Sequence, residues 1–247
     1  MIAAIVLAKN EAENLPKCLE SVKWCDQIVV VDDNSTDDTV KLAKKLGASV
    51  LSHPLNGNYS AQRNWALSQI KSPWVLFLDA DEILSAKLVG EIKDTIYRVD
   101  YKGYLLSRLD FMWGKKLLHG DVGGVKLLRL ARRGAGEWQG TVHETWAIEG
   151  RVGTLKHPVY HYPHRHLADF LRRLNTYSSL RAQEFFASHR HTNVFEITLG
   201  PVFRFIYLYV IKLGFLDGTP GFIHAMSMSF YMFLVAGKLW LLSKGIK

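Results

Sequence analysis

Short apolar runs alternate with amphipathic stretches over the first hundred residues, and each run breaks into polar residues at its carboxyl end. Residues 2–7 (IAAIVL) read as a buried strand. Leu15, Leu19 and Val22 then recur at helical spacing, with Asn14 ahead of Pro16 as a start signal. The β-branched run in QIVVVDDNSTDD predicts a second strand with acids at its end. Its following helix has Ser35 or Thr36 as cap, Asp37 and Asp38 in the first turn, Lys41, Lys44 and Lys45 toward the end, and Gly47 beyond. ASVLSHP predicts a third strand, residues 59–70 a third helix, and PWVLFLDADE a fourth strand that again ends in acids. Such alternation implies an α/β fold with a mostly parallel sheet between helices, whose ligands bind beyond the carboxyl ends of the strands.

After a helix near residues 85–98 the pattern changes to shorter strands and glycine-punctuated turns, read as an antiparallel extension of the same domain. The last fifty residues differ again. Residues 197–216 and 222–242 are aromatic-rich apolar stretches around the turn LDGTPG, each close to the ~20 residues that span a bilayer. Arg204, Lys212 and Lys238 interrupt them, and charges at such depth are costly in a simple span. That cost favours helices lying in the interface or dipping into one leaflet. The chain therefore divides into an expected catalytic domain, 1–190, and a membrane-associated helical region, 191–247.

Composition adds three constraints. With 48% hydrophobic and 22% charged residues the 247-residue chain has enough apolar material for its own core, which excludes disorder as its main state. Its two cysteines, Cys18 and Cys25, exclude a disulfide framework, and the start turns polar too early for a secretory signal; both suit a reducing compartment. The net charge of +8 is unevenly spread: residues 1–97 carry 10 Lys and Arg against 13 Asp and Glu, whereas residues 98–247 carry 21 against 10. An acidic half suits a cation or nucleotide site, and a basic half an anionic partner.

Candidate chemistry gathers at the strand ends. Asp79, Asp81 and Glu82 would repel one another unless a cation joined them, and hard oxygen ligands suit Mg²⁺ or Mn²⁺ together with substrate phosphates. Asp32 and Asp33, at the second strand's end, are placed to accept from a nucleobase imide or a ribose hydroxyl. Lys9, Asn10 and Glu11 put a polar trio on the same rim, without the glycine-rich loop of a dinucleotide dehydrogenase.

The series VLAKNEAENLPKCLES, IVVVDDNSTDDT, SAQRNWAL and WVLFLDADE, continued by GTVHE, closely resembles the inverting family 2 glycosyltransferases of the GT-A fold. The LGFLDGTPGF turn resembles the lipopolysaccharide-core β-glucosyltransferase subgroup. The resemblance implies that Glu11 and Asp33 hold the nucleotide's base and ribose, that Arg63 and Asn64 face the donor, and that Asp79 and Asp81 form the acid-X-acid motif, with Asp81 on the metal. His143 and Glu144 fall at the catalytic carboxylate, with Glu144 the expected base. A third metal ligand is sought among His157, His161 and His164.

The expected activity is transfer of a sugar from a nucleotide-sugar, with uridine the expected base, to a lipid-linked or lipopolysaccharide-core acceptor. Its expected place is the cytoplasmic face of the membrane, peripheral or monotopic, against anionic lipid. The aromatic residues cluster in apolar runs instead of interleaving with the cations, which argues against nucleic acid. A sugar nucleotidyltransferase would want a glycine-rich phosphate loop after the first strand, and a non-catalytic adaptor would have lost acids at 33, 79, 81 or 144.

Overall fold

The computed structural model of the chain describes residues 1–140, 144–163 and 166–246. By internal packing the chain forms two compact units, residues 1–108 with 125–161, and residues 109–124 with 162–247.

In the first unit, β1 (Ile2–Ala8) lies between β2 (Gln27–Asp32) and β4 (Trp74–Asp79), both parallel to it, and β3 (Ser49–Ser52) adds in parallel to β2. Register levels the acidic ends: Ala8 sits opposite Asp32, and Leu7 opposite Asp79. Alternate residues of these strands serve two apolar layers. Ala4, Val6, Leu76 and Leu78 pack with Leu15 and Leu19 of α1 (Leu15–Ser21) and with Leu88 and Ile92 of α4 (Ala86–Thr95). Ile5, Val31, Val75 and Phe77 pack with Ala66 of α3 (Tyr59–Ser68) and with Trp138 and Trp146. Both tryptophan rings meet Phe77 edge-on at 5.2 Å.

Beyond β4 the sheet turns antiparallel, as the glycine-rich stretch predicts. Its order runs β3-β2-β1-β4-β8-β6-β11-β5, with β5 (Glu82–Leu84), β6 (Gly103–Met112), β8 (Lys126–Arg132) and β11 (Val152–His161); β7 (Lys115–Leu117) pairs with the far end of β6. A separate ribbon joins β9 (Gly136–Gln139) to β10 (Thr145–Ile148).

Two helix starts follow side-chain capping: Asn58 accepts the Ala61 N–H at 3.0 Å, and Ser85 the Leu88 N–H at 3.2 Å. The second helix differs from expectation. α2 (Thr39–Lys45) starts later than Ser35 or Thr36, and Asp37 accepts the Thr39 N–H at 3.0 Å and the Ala12 N–H at 3.2 Å. Ser35 and Thr36 instead tie the loop after β2 to the loop after β1: the Asn10 N–H donates to Ser35 at 2.9 Å, and the Thr36 N–H to the Asn10 side chain at 2.8 Å. Asn10 and Asn34 both sit in the left-handed region, at φ 55° and 53°, which asparagine tolerates better than most residues.

The second unit holds α5 (Leu167–Ala187), α6 (Val194–Ile206) and α7 (Thr219–Ser243), with a π turn at Tyr207–Ile211 and a 3₁₀ turn at Gly214–Asp217. The boundary expected near residue 190 falls inside this unit, because α5 packs along α7. α5 buries Phe170, Leu174, Ser178 and Ala182, a stripe at four-residue spacing. Two stretches, Val194–Ile211 and Thr219–Ser243, are long and apolar enough to cross a membrane. Two of the three cations in the apolar stretches find hydrogen-bond partners within the unit. Arg204 pairs with Asp121 at 2.7 Å, and the Lys238 ammonium donates to the backbone and side-chain oxygens of Asn175 at 2.7 Å and to Ser178 and Ser179 at 2.8 Å. Lys212 is exposed.

Candidate active site

The end of β4 carries the centre of the site. One Asp79 oxygen accepts from Arg63 Nη2 at 2.9 Å and the other from Arg129 Nη2 at 2.7 Å, while the Asp79 N–H donates to Glu82 Oε2 at 3.0 Å. Burial alone would raise the Asp79 carboxyl, but the guanidiniums of Arg129 and Arg63 outweigh it and hold it well below the usual carboxylate range. Glu82, wholly buried, is pushed up by that burial. Burial works against the Arg129 cation too, and Asp79, Glu82 and Glu144 more than restore it.

Arg63 comes from α3 and is 2% exposed. Its Nε donates to Glu144 Oε1 at 3.0 Å, so one guanidinium joins Glu144 to Asp79. Aromatic rings fix its plane: its carbon lies 4.7 Å from the Trp138 ring centre and 5.5 Å from that of Phe77. Next to it, Asn64 donates to the Trp138 carbonyl at 2.9 Å and accepts the Trp138 N–H at 2.8 Å. The Asn64 amide therefore holds β9 over Arg63.

Asp81, 8% exposed, faces His161 Nε2 at 3.5 Å, a meeting made by the register of β11 on β5, where His161 pairs with Glu82. Four residues back along β11, His157 gives its N–H to Glu91 of α4 at 3.0 Å, about 13 Å from His161 at strand rise. Among the described residues no group of three or more His, Cys, Asp or Glu side chains stands ready for a metal. Asp81 and His161 still offer an oxygen and a nitrogen side by side. Mg²⁺ and Mn²⁺ complete such a partial set with substrate phosphates, so the residues present fit such an ion. His143 and His164 lie outside the described residues.

On the rim by β1 and β2, Asp33 accepts from Lys9 Nζ at 2.8 Å and from the Leu55 N–H at 2.8 Å. Glu11 accepts from the Asn14 side chain at 2.8 Å, and its own N–H donates to Thr39 at 2.8 Å. Asp32 accepts the Ser35 N–H at 3.1 Å through one oxygen; its buried Oδ1 has no partner among the described residues, nor has His53 Nδ1. The His53 ring lies 4.1 Å from that of Trp65. These buried polar atoms carry a desolvation cost that a bound polar ligand would repay.

Sequence reasoning missed Arg129, Glu82 as a buried group, and His53. A signal existed for Arg129: in KLLRLAR it is the cation at the middle of an apolar strand whose other two cations, Lys126 and Arg132, stand at the ends, and a buried cation demands an acid.

A glycosyl transferase family 2 profile matches residues 3–143. The lipopolysaccharide core biosynthesis glycosyltransferase LpsC of Rhizobium meliloti is 30% identical over 248 residues, spanning 97% of this chain and 92% of the relative. An uncharacterized glycosyltransferase of Rickettsia felis is 28% identical, over 96% of this chain and 89% of its own. Among solved structures, S. aureus TarS 1–349 in complex with UDP superposes with a TM-score of 0.52 at 16% identity, covering 99% of this chain and 91% of that one. The TarS complex with UDP-GlcNAc gives 0.51, at 16% identity over 99% and 92%. That likeness is one of fold: a mostly parallel sheet continued by antiparallel strands, of GT-A type.

Proposed function

The chain belongs to glycosyl transferase family 2 and is a glycosyltransferase, and on that premise we propose that it moves a sugar, with inversion, from a UDP-sugar to a lipid-linked or lipopolysaccharide-core acceptor at the cytoplasmic face of the membrane. The observation that carries this reading is the bridge made by Arg63 between Asp79 and Glu144. One rigid cation sets the spacing between the donor-side acid and the acceptor-side base.

In one displacement the acceptor oxygen bonds to the anomeric carbon as the bond from that carbon to the UDP oxygen breaks. Glu144 takes the acceptor's proton; its Oε1 is held by Arg63, which leaves Oε2 for the proton. UDP departs with the electron pair. Asp33, Asp32 and Glu11 form the rim that receives uridine, with Lys9 and the Leu55 N–H holding Asp33 in place. Asn64 supports Arg63 from behind through Trp138. Asp81 and His161 would hold Mg²⁺ or Mn²⁺, which when bound offsets the negative charge of the diphosphate. Asp79, with both oxygens on guanidiniums, fixes Arg63 and Arg129 around that place.

Support for a membrane-borne acceptor comes from the LpsC relationship and from α6, in which no residue is buried and Phe195, Leu199, Val202 and Ile206 form an exposed stripe. The test is UDP release from UDP-glucose, and then from other UDP-sugars, with truncated lipopolysaccharide as acceptor. Release that depends on acceptor and disappears in Glu144→Gln is expected. Equal release by that variant, or none from any UDP-sugar, overturns the reading.

A further inference from the structure

The turn LDGTPG has no part in the chemistry above, yet its aspartate is heavily bonded. Asp217, 3% exposed, accepts the backbone N–H groups of Leu118 at 3.0 Å and His119 at 2.9 Å, and His119 Nδ1 lies 2.8 Å from its other oxygen. The Gly120 N–H adds a bond to the Lys212 carbonyl at 3.0 Å. Together these fasten the segment after β7 to the turn between the apolar helices, two stretches distant in sequence but within one unit.

The acid faces inward, and what faces outward is apolar and cationic. Leu118 is 57% exposed, Leu213 45%, Phe215 44% and Leu216 52%, while Lys115, Lys116 and Lys212 are exposed around them. Lys212 leans over the Tyr207 ring and Lys116 over that of Phe111. Leu213 stands in the left-handed region at φ 58°. Glycine or asparagine holds that conformation at less cost, so the strain is spent on an outward leucine.

We infer that this composite tip docks on an anionic lipid bilayer, with Leu118, Leu213, Phe215 and Leu216 at the acyl boundary and Lys115, Lys116 and Lys212 among the headgroup phosphates. Charge decides the partner. Across residues 115–118 and 211–218 the single acid is Asp217, and it is buried and saturated, so no negative group offsets the three lysines. Apolar side chains ringed by lysine are what an anionic interface retains. The inference rests on the membrane reading above and sharpens it, since it names the surface that selects lipid charge.

The test uses the full chain sedimented with vesicles of phosphatidylcholine alone, or with one quarter phosphatidylglycerol. The native protein is expected to bind the anionic vesicles more tightly. Lys115→Gln/Lys116→Gln/Lys212→Gln is expected to lose roughly 100-fold of that preference, at roughly fivefold per lysine, and to keep its binding to neutral vesicles. A dye on Leu216→Cys should shift to the blue on anionic vesicles; the native Cys18 and Cys25 are buried and leave position 216 as the labelled site. A triple variant with native preference and a dye that does not respond would overturn the tip while leaving the membrane reading in place. Native protein that ignores both vesicle types would overturn the membrane reading, and the tip with it.

Discussion

Replacing Arg63 with glutamine removes the cation shared by Asp79 and Glu144 while keeping much of the side chain's volume. Arg63 is 2% exposed, and Glu144 keeps 14% of its side-chain surface, so the carboxylate left behind cannot fully rehydrate. Breaking a buried pair from one side costs about 3–5 kcal/mol. Here the lower end applies, because Asp79 retains Arg129 at 2.7 Å and a third of its own surface. About 3 kcal/mol corresponds to a fall of about 6–12 °C in Tm for a chain of this size. Turnover should fall by about 100-fold, the usual effect of a base displaced by roughly an ångström. Arg63→Lys separates the two effects: its single ammonium restores charge and part of the Tm, but it lacks the fork that reaches both carboxylates, so turnover stays low. Thermal melts alongside UDP release by the three proteins make the comparison. Arg63→Gln with a Tm within about 2 °C of native and native turnover would refute the idea that this guanidinium ties donor side to acceptor side.

Glu144→Gln should retain UDP binding and lose turnover by about 10²–10⁴-fold, the range for a general base, read by calorimetry and steady-state rates. Asn64→Ala leaves the Trp138 N–H and C=O without partners and should lower stability by about 1–3 kcal/mol in denaturant melts. Burial raises the Cys25 thiol to about 12, with Asp26 adding to the effect, and burial followed by Glu82 raises the Cys18 thiol well above its usual value. Both thiols should resist alkylation in the folded protein at pH 8 and react once it unfolds. Their folded pKa values lie above the unfolded value of about 8.5, so their contribution to stability is complete below that pH and declines as pH rises above it, for Cys25 up to about 12.

The parallel half of the sheet was legible because its strands are apolar runs with polar ends, and Asp32 and Asp79 stand at those ends by register. Arg63 and Glu144 were legible as single residues in short motifs, though their meeting was not: they are 81 residues apart, and pairing across that distance has no local signature. Arg129 was hidden for the same reason, lying 50 residues from the Asp79 it binds. His161 was one of several histidines in KHPVYHYPHRH, and only strand register sets it at Asp81 while sending His157 to α4. In the apolar helices, the sequence alone presents each charge as a barrier to burial in lipid. The structure supplies Asp121 for Arg204 and the polar edge of α5 for Lys238, partners that a scan of the apolar stretches alone does not contain.

At the centre of the proposed function stands a metal-dependent donor site built around the acids at the end of β4. Its most direct measurement is calorimetric titration of UDP, with and without Mn²⁺, into the full chain, its Asp81→Ala variant and its Glu144→Gln variant. The expected result is binding that needs Mn²⁺, is lost in Asp81→Ala and persists in Glu144→Gln. Binding that ignores the metal, or that survives in Asp81→Ala at native strength, would contradict it.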